Sequence, residues 1–185
     1  MGQLILQFCG FDSTIAKIIT WGTQGEFELG GKKIYIGHVD VVTDLGLLGA
    51  QHQDGLGGRP SGVWVRPFDY LSSCGGINPV RVAIDCSDEG YLAAMAFAEA
   101  QVGKPYDTVD MLQNFLLERD WRDPNAWFCS ELAIETVNHA KVFRFPLAAE
   151  CNRVAPSLAY AVVSTYGRVY AVAANDALAA GLAAT

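Results

Sequence analysis

The chain has 185 residues, of which 13 are Lys or Arg and 20 are Asp or Glu, which gives a formal net charge of −7. Hydrophobic residues make up 51% of the sequence, enough for a sizeable core, and this excludes an intrinsically disordered chain. The sequence pI of about 4.8 argues against a protein that binds nucleic-acid phosphates, because such proteins normally carry a basic surface. The length predicts a single domain over residues 1–185.

Membrane and targeting signals are not expected from the sequence. It contains no uncharged apolar run of about 18 residues, so we expect that the chain does not span a membrane. The segment MGQLILQFCGFDST has no basic region and only a short apolar stretch, which is not typical of a signal peptide. These features predict a cytoplasmic protein, with the route of any later export unknown.

The chain contains five cysteines, an odd number without any CxxC spacing. Structural zinc sites normally use closely spaced ligand pairs, so we expect no metal, and no cofactor is predicted. A chain of this length without a secretory signal is not expected to depend on disulfides. We interpret most of the five as small buried hydrophobic residues: Cys9, Cys74, Cys86, Cys129 and Cys151.

The first half of the chain has the pattern of strands separated by loops. Its β-branched and aromatic runs predict strands at 4–8, 33–42, 45–51, 63–68 and 79–85. In the second of these, alternation places His38 and Asp40 on the same face. Glycine-rich or charged stretches predict loops at 22–33, 52–62 and 71–79, and the second of these loops is a candidate flap over a site.

Helices are predicted mainly in the second half. Ser87 or Asp88 can cap a helix that ends at Gly103. Apolar spacing predicts further helices at 108–121 and Cys129–Ala140. A short helix capped by Asp12 or Ser13 and an alanine-rich packing helix from about residue 157 complete the expected elements, with a turn at 122–125.

Cys129 is the cysteine with an unusual position, since it lies in the first turn of a predicted helix. Free N–H groups and the helix dipole both stabilise a thiolate there. A thiolate nucleophile needs a base, and the chain has three histidines. His139 is ten residues further along the same helix, about 15 Å away, and is excluded. His38 and His52 remain as candidates for the base.

Four motifs follow one another along the chain. They are GHVDVV on a strand, then GVWVRPFDY, then GKPYD after a helix, and WFCSEL at the start of another helix. Their arrangement resembles that of the circularly permuted NlpC-type cysteine hydrolases, the YiiX/YaeF-like group with a papain-like core. The resemblance extends from about residue 4 to residue 166. It implies an α+β, papain-like fold with a central antiparallel sheet packed against helices.

The resemblance implies that Cys129 is the nucleophile and His38 the general base. It also implies a polar residue on the next strand that orients the imidazole, for which Gln51 is the candidate, with His52 behind it. Asp40 stands where the family usually carries a small residue. Its carboxylate either raises the pKa of His38 or is a solvated charge at the strand end, so Gln51, His52 and Asp40 all remain candidates.

Three further residues are candidates for substrate binding. The resemblance implies that Tyr106 and Asp107, in the GKPYD motif, line the active-site cleft. The same segment is also explained as a turn that Pro105 fixes after a helix end. Glu131 lies in the first turn of the predicted 129–140 helix, where its carboxylate either caps the helix or contacts substrate.

The resulting hypothesis is a cysteine peptidase or amidase that forms an acyl-enzyme, with a peptidoglycan stem peptide as the leading substrate. The expected partners are a small peptide, a cell-wall fragment or a lipid, and no nucleic acid. The alternatives are a lipid-directed acyltransferase or thioesterase and a non-catalytic binding or assembly module. A metal-dependent hydrolase using His38, His52 and Asp54 lacks the ligand spacing of a known zinc site.

Overall fold

The computed structural model of the chain describes residues 1–11, 25–73, 76–107, 125–143 and 154–172, with the backbone alone at 72, 73, 76 and 77. Several predictions lie outside these residues: the short helix after Asp12, the helix at 108–121, most of the turn at 122–125, the environments of Cys74 and Cys151, and the tail beyond residue 172.

The described residues form a mixed α+β structure around a six-stranded sheet, in which every pairing is antiparallel. The prediction of an α+β chain with a central antiparallel sheet is confirmed. The strands run in the spatial order β6-β5-β4-β1-β7-β8, while β2 and β3 form a separate hairpin. In chain order they are β1 (Gly2–Phe11), β2 (Glu26–Leu29), β3 (Lys32–Tyr35), β4 (His38–Thr43), β5 (Gly46–Gln51), β6 (Gly62–Arg66), β7 (Gly76–Cys86) and β8 (Arg168–Ala171).

All predicted strands differ in their bounds from the observed ones, and two regions differ in the assignment itself. The loop predicted at 22–33 is wrong at its end, because β2 and β3 pair across a turn at Gly30 and Gly31, whose φ angles are 57° and 75°. Glycine adopts such positive φ angles without steric cost. The single strand predicted at 33–42 is interrupted at Ile36 and Gly37, so β3 and β4 belong to different sheets.

Four helices and one 3-10 turn complete the described chain. The predicted cap is confirmed: the Ser87 hydroxyl accepts from the Gly90 N–H at 3.0 Å. The predicted loop at 71–79 is wrong, since it contains the end of a short helix and the start of β7, and the strand β8 was not expected in the tail. The elements are the 3-10 turn Leu56–Gly58 and the helices α1 (Tyr70–Ser73), α2 (Asp88–Glu99), α3 (Cys129–Ala140) and α4 (Pro156–Val163).

The two faces of the sheet have different characters. Alternate residues such as Leu6, Val39 and Leu48 belong to the main hydrophobic cluster, which also contains buried residues of α2, α3 and α4. The residues between them, including His38 and Asp40, lie on the other face. A second hydrophobic cluster lies beside them and brings the segments after β5 and β6 onto the sheet: Cys9, Leu47, Leu56, Tyr70 and Leu71.

Within the described ranges, no helix has both the length and the apolar character needed to cross a bilayer.

Candidate active site

The candidate nucleophile and the candidate base lie at the first residues of a helix and a strand. His38 is the first residue of β4 and Cys129 is the first residue of α3. Cys129 lies close enough to the imidazole of His38 to raise its pKa, and both residues are buried. The helix start therefore places a thiol against a base, beside backbone N–H groups that a helix leaves without internal acceptors.

The entry into α3 is fixed by the segment that follows α2. The Trp127 N–H donates to the Pro105 carbonyl at 3.1 Å, and the Asp107 N–H donates to the Trp127 carbonyl at 3.0 Å. The indole N–H of Trp127 also donates to Gln101 Oε1 at 3.1 Å. These bonds hold the backbone directly before Cys129, so the position of the sulfur does not depend on α3 alone.

The other side of the His38 ring faces a buried carboxylate. His38 Nε2 lies 2.9 Å from Asp40 Oδ1, and both side chains are almost fully buried. Alternation on β4 brings the two side chains to one face, as the sequence predicts. Since Nε2 is engaged by Asp40, we infer that Nδ1 is the nitrogen that faces Cys129.

The electrostatics of this group favour a protonated imidazole. Burial lowers the pKa of His38, but the carboxylate of Asp40 and the sulfur of Cys129 raise it by more, through charge and hydrogen bonding, to about 10. An imidazolium at neutral pH stabilises a neighbouring thiolate. The arrangement therefore places a positive charge beside the sulfur of Cys129.

Tyr70 joins the site from α1 and was not predicted. Its hydroxyl donates to Asp40 Oδ2 at 2.6 Å and lies 3.2 Å from His38 Nε2. The amide of Gln51 donates to the same hydroxyl at 3.2 Å. The only sequence signal was that Tyr70 ends the GVWVRPFDY motif, to which no role had been given.

Gln51 and Asp40 have different hydrogen-bonding roles around His38. Gln51 Nε2 lies 3.2 Å from His38 Nε2, but an amide N–H and an imidazolium N–H are both donors and cannot satisfy each other. A consistent chain runs from Gln51 to Tyr70 to Asp40, and from His38 to Asp40. Asp40 therefore holds the imidazole, whereas Gln51 acts on it through Tyr70.

The predicted substrate-binding residues lie at different distances from the chemistry. Burial raises the pKa of the Tyr106 hydroxyl, and the charges of Cys129 and Asp107 raise it further. Tyr106 also pairs with Trp127, two residues before Cys129, in an isolated β-bridge. Asp107 and Glu131 are both buried, the latter in the first turn of α3. His52 packs edge-on against Tyr106, with ring centroids 5.8 Å apart.

The loop after β5 is tied to the sheet by Arg66. This almost fully buried guanidinium donates to carbonyl oxygens of β5, of β6 and of the loop between them. It therefore holds the loop against the two strands. The loop at 52–62, which is predicted to be a flap, is therefore anchored through the carbonyls of Leu56 and Pro60. The acceptors are the carbonyls of Gly49, Leu56, Pro60, Gly62 and Trp64, at 3.0–3.5 Å.

The metal alternative gains no support from the described part of the chain. Asp54 accepts a hydrogen bond from the Ser61 N–H at 2.7 Å, and His52 contacts Tyr106. Across these residues, no group of three or more His, Cys, Asp and Glu side chains is arranged to hold a metal ion.

Comparisons of the chain with protein-family models, with curated proteins and with solved structures found no match. The resemblance to permuted NlpC-type hydrolases thus stays a prediction from the four motifs, and so do the catalytic roles of Cys129, His38 and Gln51.

Proposed function

We propose that this protein is a cysteine hydrolase of the papain-like, permuted NlpC type, with Cys129 as nucleophile and His38 as general base. The observation that carries the proposal is the arrangement of Cys129, at a helix N-terminus, near a buried His38 whose Nε2 lies 2.9 Å from Asp40 Oδ1. Asp40 replaces Gln51 as the residue proposed to orient the imidazole.

In the proposed reaction, the proton of Cys129 is transferred to His38 and the thiolate attacks an amide carbonyl carbon. Backbone N–H groups at the start of α3 stabilise the oxyanion. The C–N bond breaks as the His38 imidazolium gives its proton to the leaving amine, which leaves a thioester on Cys129. Water, deprotonated by His38, then hydrolyses the thioester and restores the thiol.

The proposed substrate is an amide bond in a peptidoglycan stem peptide, as the resemblance implies. Tyr106 and Asp107 are proposed to contact it, because both pair with Trp127, two residues before Cys129. Glu131, in the first turn of α3, is also proposed to contact the substrate.

The experiment that tests the proposal needs no substrate. The protein is alkylated with iodoacetamide between pH 5 and 9, and the modified cysteines are identified by mass spectrometry. We expect Cys129 to react at pH 5–6, far below the pKa of about 8.5 of an unperturbed thiol, and to lose this reactivity in His38→Ala. Cys86 is an internal control, because burial raises the pKa of its thiol and it should react slowly.

If Cys129 reacts no faster than Cys86 at pH 6, the enzyme proposal is wrong and a binding module on the same fold is favoured. If Cys129 is activated, hydrolysis of stem peptides is compared with hydrolysis of lipid esters. Cys129→Ala should abolish turnover of the substrate that is cleaved, while the far-ultraviolet circular dichroism spectrum is unchanged. Turnover in that variant contradicts the mechanism.

A further inference from the structure

We propose that Tyr70 is a positioning residue of this site, which fixes the carboxylate of Asp40 in the orientation that holds His38. The inference rests on the proposed function for its catalytic consequence. The contact between Tyr70 and Asp40 can be tested separately from catalysis.

The two oxygens of Asp40 are used by two different donors. Oδ1 lies 2.9 Å from His38 Nε2 and Oδ2 accepts from the Tyr70 hydroxyl at 2.6 Å. A carboxylate with one bound oxygen can rotate about its Cβ–Cγ bond, whereas a donor on each oxygen fixes the plane of the group. Tyr70 therefore determines which lone pair Asp40 presents to the imidazole.

The direction of the Tyr70 hydroxyl hydrogen is also determined. The Gln51 amide donates to the Tyr70 oxygen at 3.2 Å, so the hydroxyl oxygen acts as an acceptor on that side. Its own hydrogen points toward Asp40 Oδ2, which accepts it at 2.6 Å. Gln51 thus contributes to catalysis by orienting Tyr70, which explains why it lies in the site without a compatible bond to His38.

The ring of Tyr70 is held in place by packing. It belongs to the second hydrophobic cluster with Leu47, Leu56 and Leu71, and the Arg66 guanidinium lies 5.8 Å from its ring centroid. The position of Gly57 adds a constraint, because a Cβ there would lie 3.1 Å from Tyr70 Cβ. The hydroxyl is therefore delivered to Asp40 by a ring with little freedom to move.

The groups that face Tyr70 keep its hydroxyl protonated. Burial raises the pKa of Tyr70 well above its usual value, and the charges of Asp40 and Cys9 and the hydrogen bond to Asp40 raise it further. The hydroxyl consequently stays a donor over the pH range in which the enzyme would work. The polar and charged neighbours on the surrounding strands are Cys9 on β1, His38 and Asp40 on β4, Gln51 on β5 and Arg66 on β6.

The test compares Tyr70→Phe with the matched control Tyr160→Phe, which removes a hydroxyl from a buried ring in the main cluster. Loss of the hydroxyl removes a charge-assisted hydrogen bond to Asp40 and so weakens the hold of its carboxylate on His38. In Tyr70→Phe we expect the alkylation rate of Cys129 at pH 5 to fall about tenfold. The pH at which this rate begins to rise should move up by about one pH unit. Tyr160→Phe should keep the wild-type profile.

A second readout does not depend on catalysis. The 13C chemical shift of the Asp40 carboxyl carbon is compared at pH 7 in the wild type and in Tyr70→Phe. We expect it to change when the hydroxyl is removed, because Oδ2 loses the hydrogen bond that it accepts at 2.6 Å. An unchanged chemical shift and an unchanged alkylation profile in folded Tyr70→Phe overturn the inference, whereas an unreactive Cys129 in the wild type overturns the proposed function instead.

Gln51→Leu provides a second variant in case Tyr70→Phe does not fold. It keeps Tyr70 and removes the donor that orients its hydroxyl, so we expect a smaller change in the same direction, about threefold at pH 5. A wild-type profile in Gln51→Leu contradicts the series from Gln51 through Tyr70 to Asp40.

Discussion

The side chain of Asp40 occupies the space that any residue larger than glycine would fill at position 49. A Cβ built on Gly49 would overlap Oδ1 of Asp40, the oxygen that binds His38. The register of β4 and β5, which pairs Val41 with Leu48, places Asp40 opposite Gly49 and His38 opposite Gln51 when it is continued. The missing side chain at Gly49 therefore leaves the space that the Asp40 carboxylate needs.

This relationship predicts a selective effect of Gly49→Ala. The methyl group forces the Asp40 carboxylate out of its position, so we expect the reactivity of Cys129 toward iodoacetamide at pH 6 to fall at least tenfold. Overpacking of a buried site costs about 1–3 kcal/mol, so the free energy of unfolding should fall by a similar amount. Both quantities are measured on the same preparation, by alkylation and by urea unfolding.

Gly167→Ala is the control for Gly49→Ala. A Cβ at Gly167 would lie 2.6 Å from Val82 Cγ1, so this variant also overpacks the sheet, but next to β8 and away from His38. It should lose stability and retain the reactivity of Cys129. Equal loss of reactivity in the two variants would mean that destabilisation, rather than the position of Asp40, controls the thiol.

Asp40→Asn separates the charge of the carboxylate from its shape. The amide oxygen can still accept from His38 Nε2, but a neutral group no longer stabilises the imidazolium. We expect alkylation of Cys129 to fall by tenfold or more at pH 5–6 and to approach the wild-type rate at pH 9, where an ordinary thiol ionises unaided. Rates against pH are compared for the wild type, Asp40→Asn and Asp40→Ala.

Asp40→Ala removes the orientation as well as the charge, so its rate should stay below that of Asp40→Asn at pH 6. If Asp40→Asn keeps the wild-type profile over the whole range, Gln51 regains its place as the candidate that orients the imidazole.

The parts of the site that the sequence made predictable are local. The pattern of apolar residues predicts α3 with the observed bounds, Cys129–Ala140, since amphipathic spacing is a property of neighbouring residues. Alternation likewise predicts that His38 and Asp40 share a face. Tyr70 could not be predicted in this way, because its contact with Asp40 joins residues 30 apart and depends on how α1 packs against the sheet.

The missed strands have different causes. The alternation in EFEL and KKIY around a Gly-Gly turn was a hairpin signal that the glycines and charges of 22–33 outweighed. The alanine-rich composition of the tail hid the short strand Arg168–Ala171, which is fixed by pairing with β7 rather than by its own length. The break at Ile36 and Gly37 has no local signal beyond one glycine.

Arg66 is predicted to be important for stability rather than for chemistry. It donates to five carbonyl oxygens, so Arg66→Met should leave several of them without a donor and lower the free energy of unfolding by about 3 kcal/mol. Arg66→Lys should recover little of this, because a single ammonium cannot reach acceptors spread along the loop. Urea unfolding measures both variants.

Limited proteolysis within 52–62 gives an independent check, since this loop is held by the same bonds. Cleavage should accelerate in both variants. Wild-type stability in Arg66→Met would mean that water replaces the guanidinium without cost.

The raised pKa of His38 predicts how stability depends on pH. The folded value of about 10 lies above the value near 6.5 expected in the unfolded chain, so the folded state binds the proton more tightly. The contribution of His38 itself is complete below about pH 6.5 and is lost as the pH rises toward 10. If Cys129 is paired with it as a thiolate, the thiol proton is bound only in the unfolded chain below about pH 8.5 and offsets this loss. The slope of at most about 1.4 kcal/mol per pH unit is therefore expected between about pH 8.5 and 10. Urea unfolding of the wild type between pH 6 and 10 measures the slope, and His38→Gln should remove it.

His139→Gln is the matched control for His38→Gln, because His139 is exposed at the end of α3 and stacks on Phe97. That variant should keep the wild-type slope. If the wild type and His38→Gln lose stability in parallel between about pH 8.5 and 10, His38 is not held as an imidazolium. Cys129 would then lack the positive partner that the mechanism requires, and its thiolate would have to be stabilised by the start of α3 alone.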